Sequence, residues 1–259
     1  MAGEDPILVE RADGVVTVTL NRPQKKNAVT GEMWGQLRDL FREVAAAPAD
    51  RVLVVTGAGG AFCSGADLTA IDDISGGGLN RMRVVGSAAQ ALHDLPKPTI
   101  AKVGGIAAGA GANLALGCDL IVASDDARFS EIFSARGLSL DFGGSWLLPR
   151  LVGLHRAKEL AFFAEILSAK EAMDIGLVNR VVSVAELDAF VDDWAGRLAA
   201  GPPIALSLTK AMLNSSGGST MAEALEREAQ SQVINFGTDD MGEAMRAFVE
   251  KRPARFQGM

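Results

Sequence analysis

The chain has 259 residues, 48% of them hydrophobic and 22% charged, with a formal net charge of −7. That length suits one large domain or one domain with a small appendage, and the acidic balance without a dense Lys/Arg run argues against a nucleic-acid partner. With two cysteines and two histidines, neither a disulfide framework nor an ordinary metal site is expected; no stretch approaches the roughly 20 apolar residues of a membrane span, and the opening residues do not read as a signal peptide, so a cytoplasmic, membrane-free protein is expected.

In chain order, Ile7 to Arg11 and Gly14 to Leu20 predict a hairpin about Ala12-Asp13-Gly14, an Asp-Gly turn signal. Val16, Val18 and Leu20 share one face of its second strand. Thr30 is placed to cap a helix with Met33, Leu37, Leu40, Phe41 and Val44 on one face, ending before Pro48. The β-branched run within Arg51 to Thr56 predicts a strand buried on both faces. Asp72 to Gly78 reads as a loop, Leu79 to Leu95 as a helix ended by Pro96 and Pro98, and Thr99 to Val103 as the next strand. The alternation of strand and helix favours α/β with crossover connections. From Gly201 the pattern is helical throughout, over Pro202 to Leu213, Thr220 to Phe236 and Asp239 to Lys251. The expected organisation is therefore a core over 1–200 and a helical region over 201–259.

Two stretches carry the chemistry. Between Gly104 and Gly111 almost every side chain is a methyl group or smaller, and the run feeds a short helix, Asn113 to Leu116, then a strand, Leu120 to Ala123. Small residues let another group approach the main chain, and the first N–H groups of a helix are unpaired and aligned with its positive end. Tight packing of helix on sheet uses small residues equally well. The second stretch, Gly57 to Leu68 (GAGGAFCSGADL), also follows a buried strand. It lacks the third glycine of a dinucleotide fingerprint and the Gly-Lys-Ser/Thr of a phosphate loop, and the chain has no G-x-S-x-G nucleophile elbow. Two such loops after two strands can aim two N–H groups at one oxygen, which is an oxyanion hole.

NRPxxxNA (Asn21 to Ala28), FCSGADL (Phe62 to Leu68), KPTIAKVGGIAAGAGANLALGCDL (Lys97 to Leu120), GLSLDFGGSWLLPRLVG (Gly137 to Gly153), SAKEAMDIGLVNRVV (Ser168 to Val182) and EKRPARFQG (Glu250 to Gly258) together resemble the crotonase, or enoyl-CoA hydratase/isomerase, superfamily. The resemblance covers nearly the whole chain. It implies a crotonase-like α/β spiral of ββα units with a C-terminal helical trimerisation region. It also implies acyl-CoA thioesters as substrates, with no further cofactor, and a homotrimer or dimer of trimers. The family's oxyanion donors fall on the N–H groups of Ala66 and Ala110, where Ala replaces the commoner Gly at 110 and serves if its φ is negative. The coenzyme A contacts fall on Lys25, Lys26, Ala28, Ala66, Asp67, Leu68, and, reaching a neighbouring subunit's ligand, Phe248 and Lys251. Surface solvation explains the three lysines nearly as well, and Asp67 reads as a loop-fixing hydrogen-bonding residue.

The two glutamates of the hydratases fall on Asn113 and Phe133, so water has no activating carboxylate there. Glu131 lies two residues from the second position. Asp141, before Phe142-Gly143-Gly144, occupies a position where the resemblance puts an aspartate in dienoyl-CoA isomerases, in the isomerase of bacterial phenylacetate breakdown and in 4-chlorobenzoyl-CoA dehalogenases. A carboxylate there also suits a cap for the following helix, Ser145 to Leu151. Apolar neighbours Leu140, Phe142 and Trp146 would raise its pKa, and Asn113, Phe133, Phe142 and Trp146 are expected around the substrate. The chain thus resembles most nearly the aspartate-dependent isomerases, with Asp141 as acid/base. The rivals are a non-catalytic acyl-CoA carrier, a hydratase, and a dehalogenase-like enzyme. The last is disfavoured by 5% aromatic residues, no tyrosine and no partnered histidine. His93, His155, Trp34 and Trp194 read as structural.

Overall fold

The computed structural model describes residues 5–69 and 77–259. The expected loop Asp72 to Gly78 lies outside the described residues except for Gly77 and Gly78, which begin a helix.

Strands β1 (Ile7–Ala12) and β2 (Val15–Leu20) form an antiparallel hairpin. Its two-residue turn, Asp13 and Gly14, has φ of 50° and 79°, the left-handed pair that matches the twist of the flanking strands. Helix α1 (Gly31–Ala46) begins where Thr30 accepts a hydrogen bond from the Met33 N–H. It leads to β3 (Val52–Gly57), which pairs parallel with β2. Helix α2 (Gly77–His93) and β4 (Thr99–Val103) repeat the unit. Next come β5 (Ile106–Ala108), α3 (Ala110–Leu116), β6 (Leu120–Ser124) and β7 (Arg128–Ser130). Helix α4 (Gly144–Phe163) runs beyond the expected Leu151, bending at Gly153, whose φ of 76° and ψ of 160° leave the helical region. After it stand β8 (Leu167–Ser168), α5 (Ala169–Asp174), β9 (Arg180–Val182) and α6 (Leu187–Ala199). Three further helices close the chain: α7 (Pro203–Ser215), α8 (Met221–Phe236) and α9 (Asp239–Glu250).

The six-stranded sheet has the order β1-β2-β3-β4-β6-β9, parallel beyond the first hairpin; a three-stranded sheet has the order β5-β7-β8. The apolar run of β3 is continuous because both its faces are covered. Leu53 and Val55 join the main core with Trp34, Leu37 and Phe41 of α1, whereas Val52 and Val54 pack with Leu187, Val191 and Ala195 of α6. Trp34 is thus in the main core, and Trp194, on α6, is half-buried against the second cluster. Among the described residues no helix is long and apolar enough to cross a membrane.

Candidate active site

The site grows from the loop after β3. Asn27, fully buried in the left-handed conformation (φ 57°), donates from Nδ2 to the carbonyl oxygens of Ala58 (2.8 Å) and Ala61 (2.7 Å), and its Oδ1 accepts from the Arg22 N–H. The segment from Arg22 to Val29 is thereby stapled to the loop from Gly57 to Ala66. The Val29 N–H donates to the Gly65 carbonyl and the Asp67 N–H to the Val29 carbonyl, both at 2.9 Å. On its other side the loop joins β5, with the Ala108 N–H donating to the Cys63 carbonyl. Gly65 permits this close stacking. Its φ is 101°, and a Cβ there would lie 2.9 Å from the Ala108 carbonyl oxygen and 3.6 Å from the Ala110 nitrogen.

Gly65, the residue before Ala66, is therefore packed against the first residue of α3. Ala110 is the first residue of α3, which is preceded by Gly109 at φ 55° and ψ −129°. Ala110 is absent from the left-handed residues, so its alanine side chain imposes no strain. Neither its N–H nor that of Ala66 donates to a protein acceptor among the described residues. Two free donors on converging backbone segments suit an oxygen that gains negative charge.

Along α3 the next functional position is Asn113, fully buried. Its Nδ2 donates to the Asp141 carbonyl oxygen at 3.0 Å and lies 3.4 Å from Oε2 of Glu131. Asn113, Glu131 and Asp141 are thus one cluster, and Glu131, two residues from the position matched to a glutamate, belongs to it. Nothing in the spacing revealed this: β7 ends at Ser130, and the turn after it directs Glu131 inward. Phe133, also buried, places its ring beside Gly109, with Cζ 3.7 Å from where a Cβ of that glycine would be.

Asp141 does not cap α4. The helix opens on Gly143 without a side-chain cap, and only the Asp141 carbonyl, accepting from the Gly144 N–H, meets the helix start. Its Oδ1 is buried without a hydrogen-bond partner among the described residues, as is Oδ1 of Asn113. Burial pushes the Asp141 carboxyl up to about 6. Glu131 is pushed up to about 8, chiefly by burial and further by the charge of Asp141, against the opposing hydrogen bond from Asn113. Both carboxyls are thus raised above the ordinary carboxylate range, Glu131 further than Asp141.

The other two side chains expected around the substrate are placed elsewhere. Phe142, at φ 46°, turns into the main core, its ring 5.0 Å from that of Trp34. Trp146 stacks edge-on against His93, lies beneath the Arg150 guanidinium, and lines a cleft between α4 and α7 with Leu147, Leu206 and Lys210. The raised pKa of Asp141 comes from burial as a whole.

Asp67 fixes its loop. Its Oδ1 accepts from the Thr69 hydroxyl (2.6 Å) and N–H (3.0 Å), and its Oδ2 pairs with Arg22 at 2.9 Å, which together hold its carboxyl below the usual range. Ala28 is buried nearby, its carbonyl accepting from Arg22 at 2.6 Å. Lys25, Lys26 and Leu68 are exposed on the rim of the same loops. Phe248 and Lys251, both exposed, stand at the end of α9, with Lys251 in the left-handed C-cap position.

Residues 10–259 match the enoyl-CoA hydratase/isomerase family. The chain belongs to that family. It is 38% identical to the 1,2-epoxyphenylacetyl-CoA isomerase of Escherichia coli over 97% of this chain and 98% of that protein. It is 34% identical to the crotonyl-CoA hydratase of Syntrophomonas wolfei, over 96% and 97% respectively. Its fold matches the crystal structure of an enoyl-CoA hydratase from Bacillus anthracis with a TM-score of 0.94 at 31% identity, covering 98% of this chain and all of the other. This is a crotonase fold, with its two sheets and C-terminal helices, and a family member of this kind acts on acyl-CoA thioesters as a hydratase or an isomerase.

Proposed function

We propose that the protein is an enoyl-CoA isomerase that moves a double bond from C3 to C2 of an acyl-CoA thioester, with Asp141 as the single acid/base. The observation that carries this reading is the Asp141 carboxylate itself: half-buried, not used as a helix cap, and with an oxygen left unpartnered beside α3. The relative named as an isomerase supports it as well.

The thioester oxygen binds between the N–H groups of Ala66 and Ala110. Asp141 takes a proton from C2, and the C–H electron pair passes through C2–C1 to the oxygen, giving a dienolate. Both N–H donors gain more from that oxygen than from the ground-state carbonyl, which lowers the barrier. The protonated Asp141 then returns its proton to C4, the negative charge leaves the oxygen, and the C2=C3 bond forms. A base with a pKa near 6 is ionised at neutral pH yet basic enough to accept the proton. Asn113 and Phe133, in place of the two hydratase glutamates, leave water without an activating group on that side.

One specific observation favours a second reading, hydration. Glu131, protonated at neutral pH, stands in the same cluster and has the chemistry of a proton donor to the substrate while Asp141 activates water.

Incubation with a panel of 2-enoyl- and 3-enoyl-CoA thioesters, followed by mass and by double-bond position, separates the readings. Isomerisation leaves mass unchanged and yields the conjugated product, hydration adds the mass of water, and a carrier binds without converting anything. Asp141→Asn keeps size and removes the basic lone pair. It is expected to lower turnover about 10²–10⁴-fold with acyl-CoA binding retained, and wild-type turnover in that variant would remove Asp141 from the mechanism.

A further inference from the structure

We propose that Asn113 is the positioning residue for Asp141, its side-chain amide tying the loop that carries the carboxylate to α3 on one side and to the buried Glu131 on the other. The proposal rests on the reading of Asp141 as the proton carrier.

Among the described residues, Asp141 is held within its own loop only at its carbonyl, by the Gly144 N–H at 2.9 Å. Between it and α4 stand two residues in left-handed conformations, Phe142 (φ 46°) and Gly143 (φ 81°), and the helix takes no side-chain cap. What holds the Asp141 carbonyl from outside the loop is the Asn113 amide at 3.0 Å. The same nitrogen lies 3.4 Å from Oε2 of Glu131, so both amide hydrogens are directed at oxygens. Among the described residues Asn113 is the sole hydrogen-bond partner of the Glu131 side chain, which lines a small cavity with the apolar Ala112, Leu116, Leu160 and Leu167 and with the polar Ser130 and Glu165.

Two further facts show that the arrangement is built. Gly144 leaves the volume that Asn113 fills, because a Cβ there would lie 2.6 Å from both Cγ and Oδ1 of Asn113. Asn113 also stands three residues after Ala110 on one short helix, so the donor N–H and the link to the base share a rigid element. A displacement of the order of 1 Å between base and substrate costs about 10²-fold in rate, and a buried amide is the tie that prevents it. Glu131 acts through Asn113: as a neutral carboxyl it offers an acceptor to the amide and orients it.

The test is steady-state kinetics on the 3-enoyl-CoA turned over fastest by the wild type, with binding of the saturated acyl-CoA of the same length measured by calorimetry. Asn113→Ala is expected to lower kcat about 10–100-fold while that binding stays within about threefold. Glu131→Ala is expected to lower kcat less, to lose its effect in the Asn113→Ala background, and to be rescued in large part by Glu131→Gln. Gly144→Ala, which displaces the Asn113 side chain without removing it, gives an independent route to the same loss of kcat should Asn113→Ala fold poorly. Wild-type kcat in both Asn113→Ala and Gly144→Ala, or losses at 113 and 131 that multiply in the double variant, would overturn the proposal. Asp141→Asn, measured alongside, separates the two levels: if it retains turnover, the proton-carrier reading fails and this one with it. If it is inactive while Asn113→Ala is fully active, the positioning role alone fails.

Discussion

The Asn113 amide nitrogen lies 3.0 Å from the Asp141 carbonyl oxygen, so the helix that opens on the Ala110 N–H also holds the loop that presents a carboxylate. Donor and base are thereby set by one seven-residue helix, buried at every position. Its neighbour Phe133 fills the space beside Gly109 with an apolar ring. At the two positions where the resemblance puts glutamates, 113 and 133, the chain thus carries an amide and a ring, with the Asp141 carboxyl in the same cluster as the amide.

The pH dependence of isomerisation follows from Asp141. Its carboxyl is raised to about 6 and must be ionised to take the C2 proton. Turnover should therefore fall tenfold per pH unit below about 6 and reach a plateau above it, with Glu131, the neighbouring acid, still protonated up to about 8. A pH–rate profile of kcat/KM with its acidic limb near 4 would show that the rate-determining base sits in water and is not this carboxyl.

Much of this was legible in the sequence. The Asp13-Gly14 turn, the Thr30 cap, the strand at 52–57 and the three terminal helices follow from local chemistry, and each lies where residue type and period put it. The close approach of the loop at Gly65 to the start of α3 is consistent with the small residues in both stretches, which tight packing alone would also require. What could not be read depends on contacts distant in the chain. Glu131 reaches Asn113 across 18 positions through the turn after β7, and no periodicity encodes that turn. Trp146, expected as an apolar neighbour of Asp141, instead points to the cleft against α7, because its face of α4 is the one that meets His93 and Arg150. Phe142 turns inward because a left-handed residue reverses the chain just before α4.

Glu131 has a second consequence, for stability. Burial raises its folded-state pKa to about 8, whereas an unfolded chain leaves it at the ordinary value of 4.5. For an acid raised in this way the neutral form is favoured by folding, so its stability contribution is full below pH 4.5 and is lost as pH rises toward 8. Glu131→Gln removes the titration while keeping an acceptor for Asn113. Between pH 5 and 9 the wild-type melting temperature should fall, and the variant's should fall less, with a difference on the order of 5 °C at the alkaline end. Parallel melting curves for the two proteins across that range would show that Glu131 is solvated.

The C-terminal helices carry an apolar surface that one chain leaves in water. Leu213, Val233, Phe236, Phe248 and Val249 are each about two-thirds exposed or more, a density of large apolar side chains that marks interaction surfaces. A trimer, or a pair of trimers, is expected at micromolar concentration. Light scattering coupled to gel filtration measures it directly, and a monomer would leave those side chains unexplained.

The Ala110 N–H, proposed above as an oxyanion donor, can be tested by a substitution that removes it and suits a helix start. A proline at that position lacks the N–H, and it stands at the first residue of α3, where a helix has no internal use for that donor and where proline's fixed φ is already helical. Gly109 before it, at φ 55° and ψ −129°, has no Cβ to meet the ring. Ala110→Pro should therefore melt near the wild-type temperature and still bind the adenine-nucleotide part of coenzyme A, while kcat falls about 10²–10³-fold, the usual worth of one oxyanion donor. The ring also occupies part of the space beside Gly65, where a Cβ would come within 3.6 Å of the Ala110 nitrogen, so the thioester oxygen loses room as well as a donor. Free coenzyme A separates the two effects. It carries no thioester carbonyl, so its affinity should be nearly unchanged in the variant, whereas acyl-CoA affinity falls by whatever the ground-state carbonyl gained. Undiminished kcat in a folded Ala110→Pro protein would place the thioester oxygen away from Ala66 and Ala110, and the enolate route proposed above would have to be abandoned.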